Sequence, residues 1–279
     1  MQKLQLRSML QAWLEEDLGS GDITSELLVF GQQANAIIHA KEEGVIAGLE
    51  AAAEVFRLLD PEVQFRCLVA DGEAVQAGAL LAEISGSARV LLSGERLALN
   101  LLQHLSGIAT KTARWQKLLQ GTRTRLTDTR KTLPGLRQLQ KQAVRLGGGV
   151  NHRMGLFDGV LIKDNHIKIA GGVAKAVRLA KEGAPHTLKV EVEVEDLAGV
   201  AEALSAGADI IMLDNMEDTM MAEAVCLVQG RALLEASGGL DEKRLAAVAA
   251  IGVDFISAGA LTHSVQALDI SLDIGAPKR

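Results

Sequence analysis

The chain has 279 residues, 48% of them hydrophobic and 23% charged, with a formal net charge of −6. Those fractions fit a folded globular protein and exclude a disordered one; two cysteines exclude a disulfide framework and are expected as small buried hydrophobes. No apolar run reaches the ~18 residues of a membrane span, and 3% aromatics without a tyrosine leave little for base stacking.

The opening stretch MQKLQLRSMLQAWLEEDLGSGD predicts an amphipathic helix. Charge lies among its apolar positions, unlike the core of a secretory leader, so a cytoplasmic protein is expected. Strands are predicted at 35–41 and 45–47 and a helix at 50–59. From 65 to 84 the pattern is strand, turn, strand, with turns at Asp71-Gly72 and Ala77-Gly78. A long helix follows over 94–120, with Leu97, Leu101, Leu105 and Ile108 on one stripe. From residue 124 the pattern alternates β and α. Strands are expected at 125–128, 159–163, 188–194, 209–213, 232–235 and 254–257, and helices at 174–182, 197–206 and 242–251 among others. This rhythm suits βαβ units around a parallel sheet. Without a Gly-x-Gly-x-x-Gly fingerprint, a barrel is favoured over a dinucleotide-binding sheet.

Charge is unevenly placed. Between Arg123 and Lys168 ten basic residues face three acidic ones, a local +7, so the remainder of the chain carries −13. Several of the basic residues fall in short glycine-containing stretches rather than on long helices. A cationic site inside an acidic chain suits a small polyanion better than a nucleic acid, which the acidic remainder would repel.

The strand ends read TDTRK, LIKDN, VEVEV, IMLDN, LEASGG and ISAGA. In parallel α/β barrels the strand C-termini share one face. Arg130, Lys131, Lys163, Glu193, Asp214, Ser237 and Gly259 are therefore expected to converge. The alternation of KVEVEVE puts Glu191, Glu193 and Glu195 on one side of a strand, and in an interior strand carboxylates need partners. Asp214 suits either a helix N-cap or, with Glu193, a Mg²⁺ or ribose-diol site. The glycine-containing turns Ser237–Gly239 and Ala258–Ala260 suit a phosphate. His152, Arg153, Lys163 and His166 surround one strand; zinc would want tighter ligand spacing, and His166 and His263 equally suit capping or packing.

Taken together, EEDLGSGDITS (15–25), ERLALNLLQHLSGIAT (95–110), DTRKTLPGLR (128–137), AVRLGGGVNHRMGLFDGVLIKDNHI (143–167), EVEV (191–194), IIMLDN (210–215), EASGG (235–239) and SAGALTHSVQALDISLDI (257–274) run nearly end to end. In this set and order the chain resembles the quinolinate phosphoribosyltransferase family. Leu133 and Leu146 stand where smaller or more polar residues are expected.

The resemblance implies an α/β fold: an N-terminal α/β sandwich over 1–103, then an incomplete parallel α/β barrel over 104–264, with the tail 265–279 returning to the first domain. It implies a homodimer in which Arg96 reaches the neighbouring subunit's site. The implied reaction joins quinolinate to 5-phosphoribosyl 1-pyrophosphate (PRPP), giving nicotinate mononucleotide, pyrophosphate and CO₂ on the way to NAD, with Mg²⁺ as cofactor. Arg130, Arg153 and the partner's Arg96 are implied to bind the quinolinate carboxylates, next to Thr129 and with His152 and Lys163 assisting. Lys131 is implied to hold pyrophosphate, Glu193 and Asp214 the ribose hydroxyls and Mg²⁺. The amides of Ser237, Gly238 and Gly239 and of Ala258, Gly259 and Ala260 are implied to hold the 5-phosphate. Lys131, Lys163, Glu193 and Asp214 would be the catalytic set. Two alternatives remain: a phosphoribosyltransferase-like protein linked to molybdenum uptake, and a nucleic-acid-binding protein.

Overall fold

The computed structural model describes residues 3–275. In chain order its first elements are α1 (Lys3–Leu18), α2 (Ile23–Leu28), β1 (Gln33–Ala40), β2 (Gly44–Val45), α3 (Leu49–Leu59), β3 (Gln64–Cys67), β4 (Ala74–Val75), β5 (Leu80–Ser87) and α4 (Ala88–Leu118). There follow β6 (Arg125–Thr127), α5 (Arg137–Leu146), β7 (Val160–Ile162), α6 (Asp164–Ala170), α7 (Val173–Gly183), β8 (Val190–Val194), α8 (Leu197–Ser205), β9 (Ile210–Asp214) and α9 (Asp218–Val228). The chain ends with β10 (Leu233–Ser237), α10 (Glu242–Ile251), β11 (Phe255–Ser257), α11 (Ala260–His263) and β12 (Ile270–Ile274).

Two compact units share these elements. The first comprises 3–113, 133–148 and 264–275; the second comprises 114–132 and 149–263. The first unit thus runs ten residues past the expected boundary at 103, takes in 133–148 as well, and includes the tail. Helix α4 runs unbroken through both the expected boundary and the one at 113/114.

In the first unit a four-stranded antiparallel sheet has the order β12-β1-β5-β3. The strand from the chain's end pairs with β1 from Ala36–Ile274 to Ala40–Ile270. Leu6, Leu10 and Leu14 recur at helical spacing on α1 and are its buried residues, packing toward α3. Glu54 of α3 is only 2% exposed and is compensated by Arg7, whose Nε lies 2.5 Å from its Oε1. The GDITS segment is a helix cap. Asp22 accepts from the Ser25 backbone N–H at 3.0 Å and from the Ser25 hydroxyl at 2.5 Å. Those bonds, the Ser25 hydroxyl first, hold its carboxyl below the usual carboxylate range. Both cysteines, Cys67 and Cys226, are exposed rather than buried: Cys67 is the last residue of β3 and Cys226 lies on the exposed side of α9.

In the second unit six parallel strands have the order β6-β11-β10-β9-β8-β7, and Val150 adds a parallel bridge to Thr127 outside β6. Helices alternate with strands throughout, as βαβ connections require. The sheet curls: Thr127, Glu191, Ile210, Glu235 and Phe255, from five different strands, line one cavity of about 520 Å³. Such closure puts the strand C-termini around a common mouth.

The basic stretch does not gather whole. Arg137, Lys141 and Arg145 lie on α5, in the first unit. Arg123 binds the Gly252 carbonyl at 2.6 Å and faces Asp254, and Lys168 pairs with Asp164 on α6. Density along the sequence includes helical positions that spacing alone does not aim at a site.

Candidate active site

The DTRK segment leaves β6 and is held from two sides. Asp128, fully buried, accepts from the Asn151 side chain at 2.5 Å and from the His152 backbone N–H at 2.9 Å. The Thr129 hydroxyl accepts the Lys131 N–H at 3.0 Å, and the Thr262 hydroxyl donates to the Lys131 carbonyl at 2.7 Å. Lys131 then runs past Gly259, where an added Cβ would lie 2.7 Å from Lys131 Cδ. A side chain at 259 would push the Lys131 stem aside.

At the end of β7, Lys163 Nζ lies 2.6 Å from Glu193 Oε2 of β8. The Lys163 N–H donates to His166 Nδ1 at 2.9 Å, so His166 caps α6 and is no metal ligand in this arrangement. Asp214 ends β9, but the cap of α9 is Glu217, so the helix-cap reading of Asp214 falls away. Asp214 instead accepts from the Asn215 amide at 2.8 Å. Gly238 sits at φ +94, and a Cβ there would lie 2.2 Å from Asn215 Oδ1, so the turn after β10 requires glycine for both conformation and space.

These ends surround a second cavity of about 520 Å³. Thr129, Arg130, Lys131, His152, Arg153, Lys163, Glu193, Asp214, Ser237, Gly238 and Gly239 all line it. Four residues expected at the site do not. Arg96 lies on α4 in the first unit with its guanidinium 3.9 Å from Glu95. Ala258, Gly259 and Ala260 form the turn after β11, where the Ala258 N–H donates to the Thr127 carbonyl at 3.0 Å.

Electrostatics single out two guanidinium groups. The Nε atoms of Arg130 and Arg153 are buried with no hydrogen-bond partner among the described residues. Burial, then the charge of Arg130, brings the Arg153 guanidinium below its ordinary range. Two like charges in one cavity, with buried donors, favour a polyanionic occupant.

Sequence reasoning missed what lies beneath. His152 Nε2 is 3.0 Å from Glu191 Oε2 and 3.7 Å from Glu235 Oε1, and both glutamates are buried. Burial, then the charge of Glu191, pushes the Glu235 carboxyl up to about 7. The alternation of β8 already places Glu191 on the same face as Glu193; nothing in it tells that the first is 4% exposed and the third, Glu195, is on the surface. Asn215 and Ser257 also line the cavity unforeseen.

Comparison with known proteins agrees with this geometry. The family model for the quinolinate phosphoribosyl transferase N-terminal domain matches residues 22–106 and that for the C-terminal domain matches 108–273. A Bacillus subtilis protein named probable nicotinate-nucleotide pyrophosphorylase (carboxylating) is 46% identical over 98% of this chain and 95% of its own length. A nicotinate-nucleotide pyrophosphorylase (carboxylating) from Mycobacterium leprae is 45% identical over 96% of each. The structure of the nicotinate-nucleotide pyrophosphorylase from Francisella tularensis superposes with a TM-score of 0.95 at 43% identity, over 99% of this chain and 98% of that one. The chain belongs to the quinolinate phosphoribosyltransferase family.

Proposed function

We propose that the chain transfers the phosphoribosyl group of PRPP to quinolinate with loss of CO₂, forming nicotinate mononucleotide and pyrophosphate for NAD synthesis. The observation that carries this is the pair of buried, unpartnered Arg130 and Arg153 Nε atoms in one cavity with Lys131, Lys163, Glu193 and Asp214. Quinolinate brings two carboxylates, and guanidinium forks bind planar carboxylates bidentately. PRPP brings a phosphate and a pyrophosphate, which suit Lys131 and the amides of Ser237–Gly239; the turn 258–260 is set aside, because the Ala258 N–H is spent on the Thr127 carbonyl and the turn does not line the cavity.

Glu193 and Asp214 fit a Mg²⁺ ion. They offer hard oxygen donors at the ends of adjacent strands, and each retains a carboxylate oxygen beyond its bond to Lys163 or Asn215. Mg²⁺ uses one or two such carboxylates together with substrate phosphates. When bound, it neutralises charge growing on the departing pyrophosphate. The same two carboxylates orient the ribose hydroxyls. Lys131 meets the pyrophosphate, whose C1–O bond breaks through an oxocarbenium-like state. The pyridine nitrogen, held in place by the arginines on its carboxylates, bonds to C1. Its quaternised ring accepts the electron pair freed when the 2-carboxylate leaves as CO₂, and that carbon then takes a proton. No covalent enzyme intermediate is required.

The reading extends to a homodimer in which Arg96 serves the neighbouring subunit's quinolinate. Its support is that Arg96 is exposed on α4 and does not line its own chain's cavity. A cytoplasmic location is supported by the two exposed free thiols, which suit a reducing compartment. Among the described residues no helix is long and apolar enough to cross a membrane.

Of the alternatives, a nucleic-acid surface is disfavoured because the basic stretch divides between a concave cavity, α5 and strand edges. The molybdenum-linked reading lacks support from the relatives, whose names specify nicotinate nucleotide. The deciding experiment incubates the protein with quinolinate, PRPP and Mg²⁺ and measures nicotinate mononucleotide and CO₂. Both are expected in equal amounts; absence of the mononucleotide overturns the assignment.

A further inference from the structure

The His152–Glu191–Glu235 group first suggests a second cation site, since one ligand atom from each residue falls within 4.8 Å of the others. The hydrogen bonding of the ring argues otherwise. The Arg153 backbone N–H donates to His152 Nδ1 at 2.7 Å. A backbone N–H can only donate, so Nδ1 carries a lone pair and the ring proton is on Nε2. That proton points at Glu191 Oε2, 3.0 Å away. A protonated Nε2 ligates no metal, and a ring with both nitrogens engaged has no donor left for a substrate carboxylate. His152 therefore lines the cavity without binding through its nitrogens.

What the ring does hold is Arg153. Asp128 fixes the chain as far as the His152 N–H. The ring takes the next N–H, that of Arg153. The guanidinium is tied at its far end by Nη1 donating to the Gly159 carbonyl at 3.0 Å. Glu191 is buried in the lumen, where its Oε2 is the nearest acceptor for the ring. Without that acceptor, the buried Nε2–H would have only Glu235 Oε1 near it, at 3.7 Å and beyond hydrogen-bond range; turning the ring to reach it would release the Arg153 backbone.

We infer that Glu191 is a positioning residue: by accepting the Nε2 proton of His152 it locks the ring that holds the Arg153 backbone, and so aims the Arg153 guanidinium at quinolinate. The inference rests on the proposed reaction and assigns His152 the part of a spacer rather than a carboxylate ligand. The effect is confined to one substrate, because Arg153 serves quinolinate whereas Lys131 and the glycine turn after β10 serve PRPP.

The test begins with the wild-type chain in the quinolinate–PRPP assay. Failure there removes the reaction and leaves the hydrogen-bond assignment to be read by nitrogen-15 NMR. With turnover established, Glu191→Leu is expected to raise the quinolinate KM by about tenfold to a hundredfold while the PRPP KM changes by less than about twofold. Glu191→Gln keeps an acceptor oxygen and is expected to stay within about threefold of wild type for both substrates. An unchanged quinolinate KM in Glu191→Leu, an equal rise in both KM values, or a Gln variant as impaired as Leu overturns the inference. Where Glu191→Leu does not fold, the Gln variant and the spectrum decide. At pH 7.5 the wild-type His152 ring is expected to show a bare Nδ1 and a protonated Nε2; a proton on Nδ1 overturns the inference.

Discussion

Lys163 and Lys131 reach the same cavity from different elements and under different constraints. Lys163 is paired with Glu193 at 2.6 Å, whereas the Lys131 stem lies against Gly259. Both residues are exposed, so truncation is expected to cost little stability. Their loss is expected at the transition state, where charge leaves with pyrophosphate and moves into the pyridine ring. Lys131→Ala and Lys163→Ala are each expected to lower kcat by about a hundredfold to a thousandfold, with melting temperatures near wild type. Steady-state kinetics beside a thermal melt checks this; wild-type turnover in both would remove the assignment. Glu235 makes a prediction of opposite character, about stability. Its carboxyl is raised from 4.5 to about 7, chiefly by burial. Between those values the folded chain holds a proton that the unfolded chain has lost, so stability from this group is present below pH 4.5 and is lost as pH rises toward 7. The loss is on the order of 3 kcal/mol. Glu235→Gln removes the titration at nearly constant shape. Its melting temperature is expected close to wild type at pH 5 and several degrees above it at pH 8. Calorimetry at the two pH values checks the sign, and a gap that narrows with rising pH would refute it.

At the scale of elements, the turn after β10 is the one proposed to hold a phosphate of PRPP. Gly238 adopts φ +94 and packs against Asn215, which itself stands at φ 53 after β9. The Asn215 N–H donates to the Ser237 carbonyl at 2.9 Å, so the two turns fix each other. Gly238→Ala introduces both left-handed strain and a collision, costing about 1–3 kcal/mol. It is expected to raise the PRPP KM at least about tenfold with a smaller effect on quinolinate, since the backbone amides shift and the arginines do not. Equal KM values for wild type and variant would show that the turn does not hold PRPP. The parallel strands were legible for the same reason the turns were: short apolar runs ended by polar or glycine residues at regular spacing leave few other arrangements. β10 nevertheless runs to Ser237, two residues beyond its expected end, because Ser237 still pairs with Asp214. Helix α5 was not legible. Its sequence RQLQKQAVRL is mostly polar, and its buried residues include Gln140 and Lys141, which no hydrophobic pattern marks. Depth was also hidden, since alternation separates the faces of β8 but does not distinguish a buried Glu191 from an exposed Glu195.

For the whole molecule the proposal that bears on assembly is that of a shared Arg96. It belongs to the first unit, while Lys163 and the cavity belong to the second, and each unit has its own sheet and core. If each cavity is completed by the Arg96 of a partner, the two substitutions Arg96→Ala and Lys163→Ala are defects of different sites in a mixed dimer. One site then carries both defects and the other carries neither. Each homodimer alone is expected to be nearly inactive. Co-refolded or co-expressed heterodimers, isolated with two different affinity tags, are expected to regain about half the wild-type turnover per dimer. If Arg96 served its own chain's cavity instead, every site in the heterodimer would keep one defect, and turnover would stay at the level of the homodimers. Recovery therefore distinguishes a shared site from a private one. Recapture on each of the two tags after the assay confirms that both chains remain in one dimer and that no exchange back to parent homodimers has occurred.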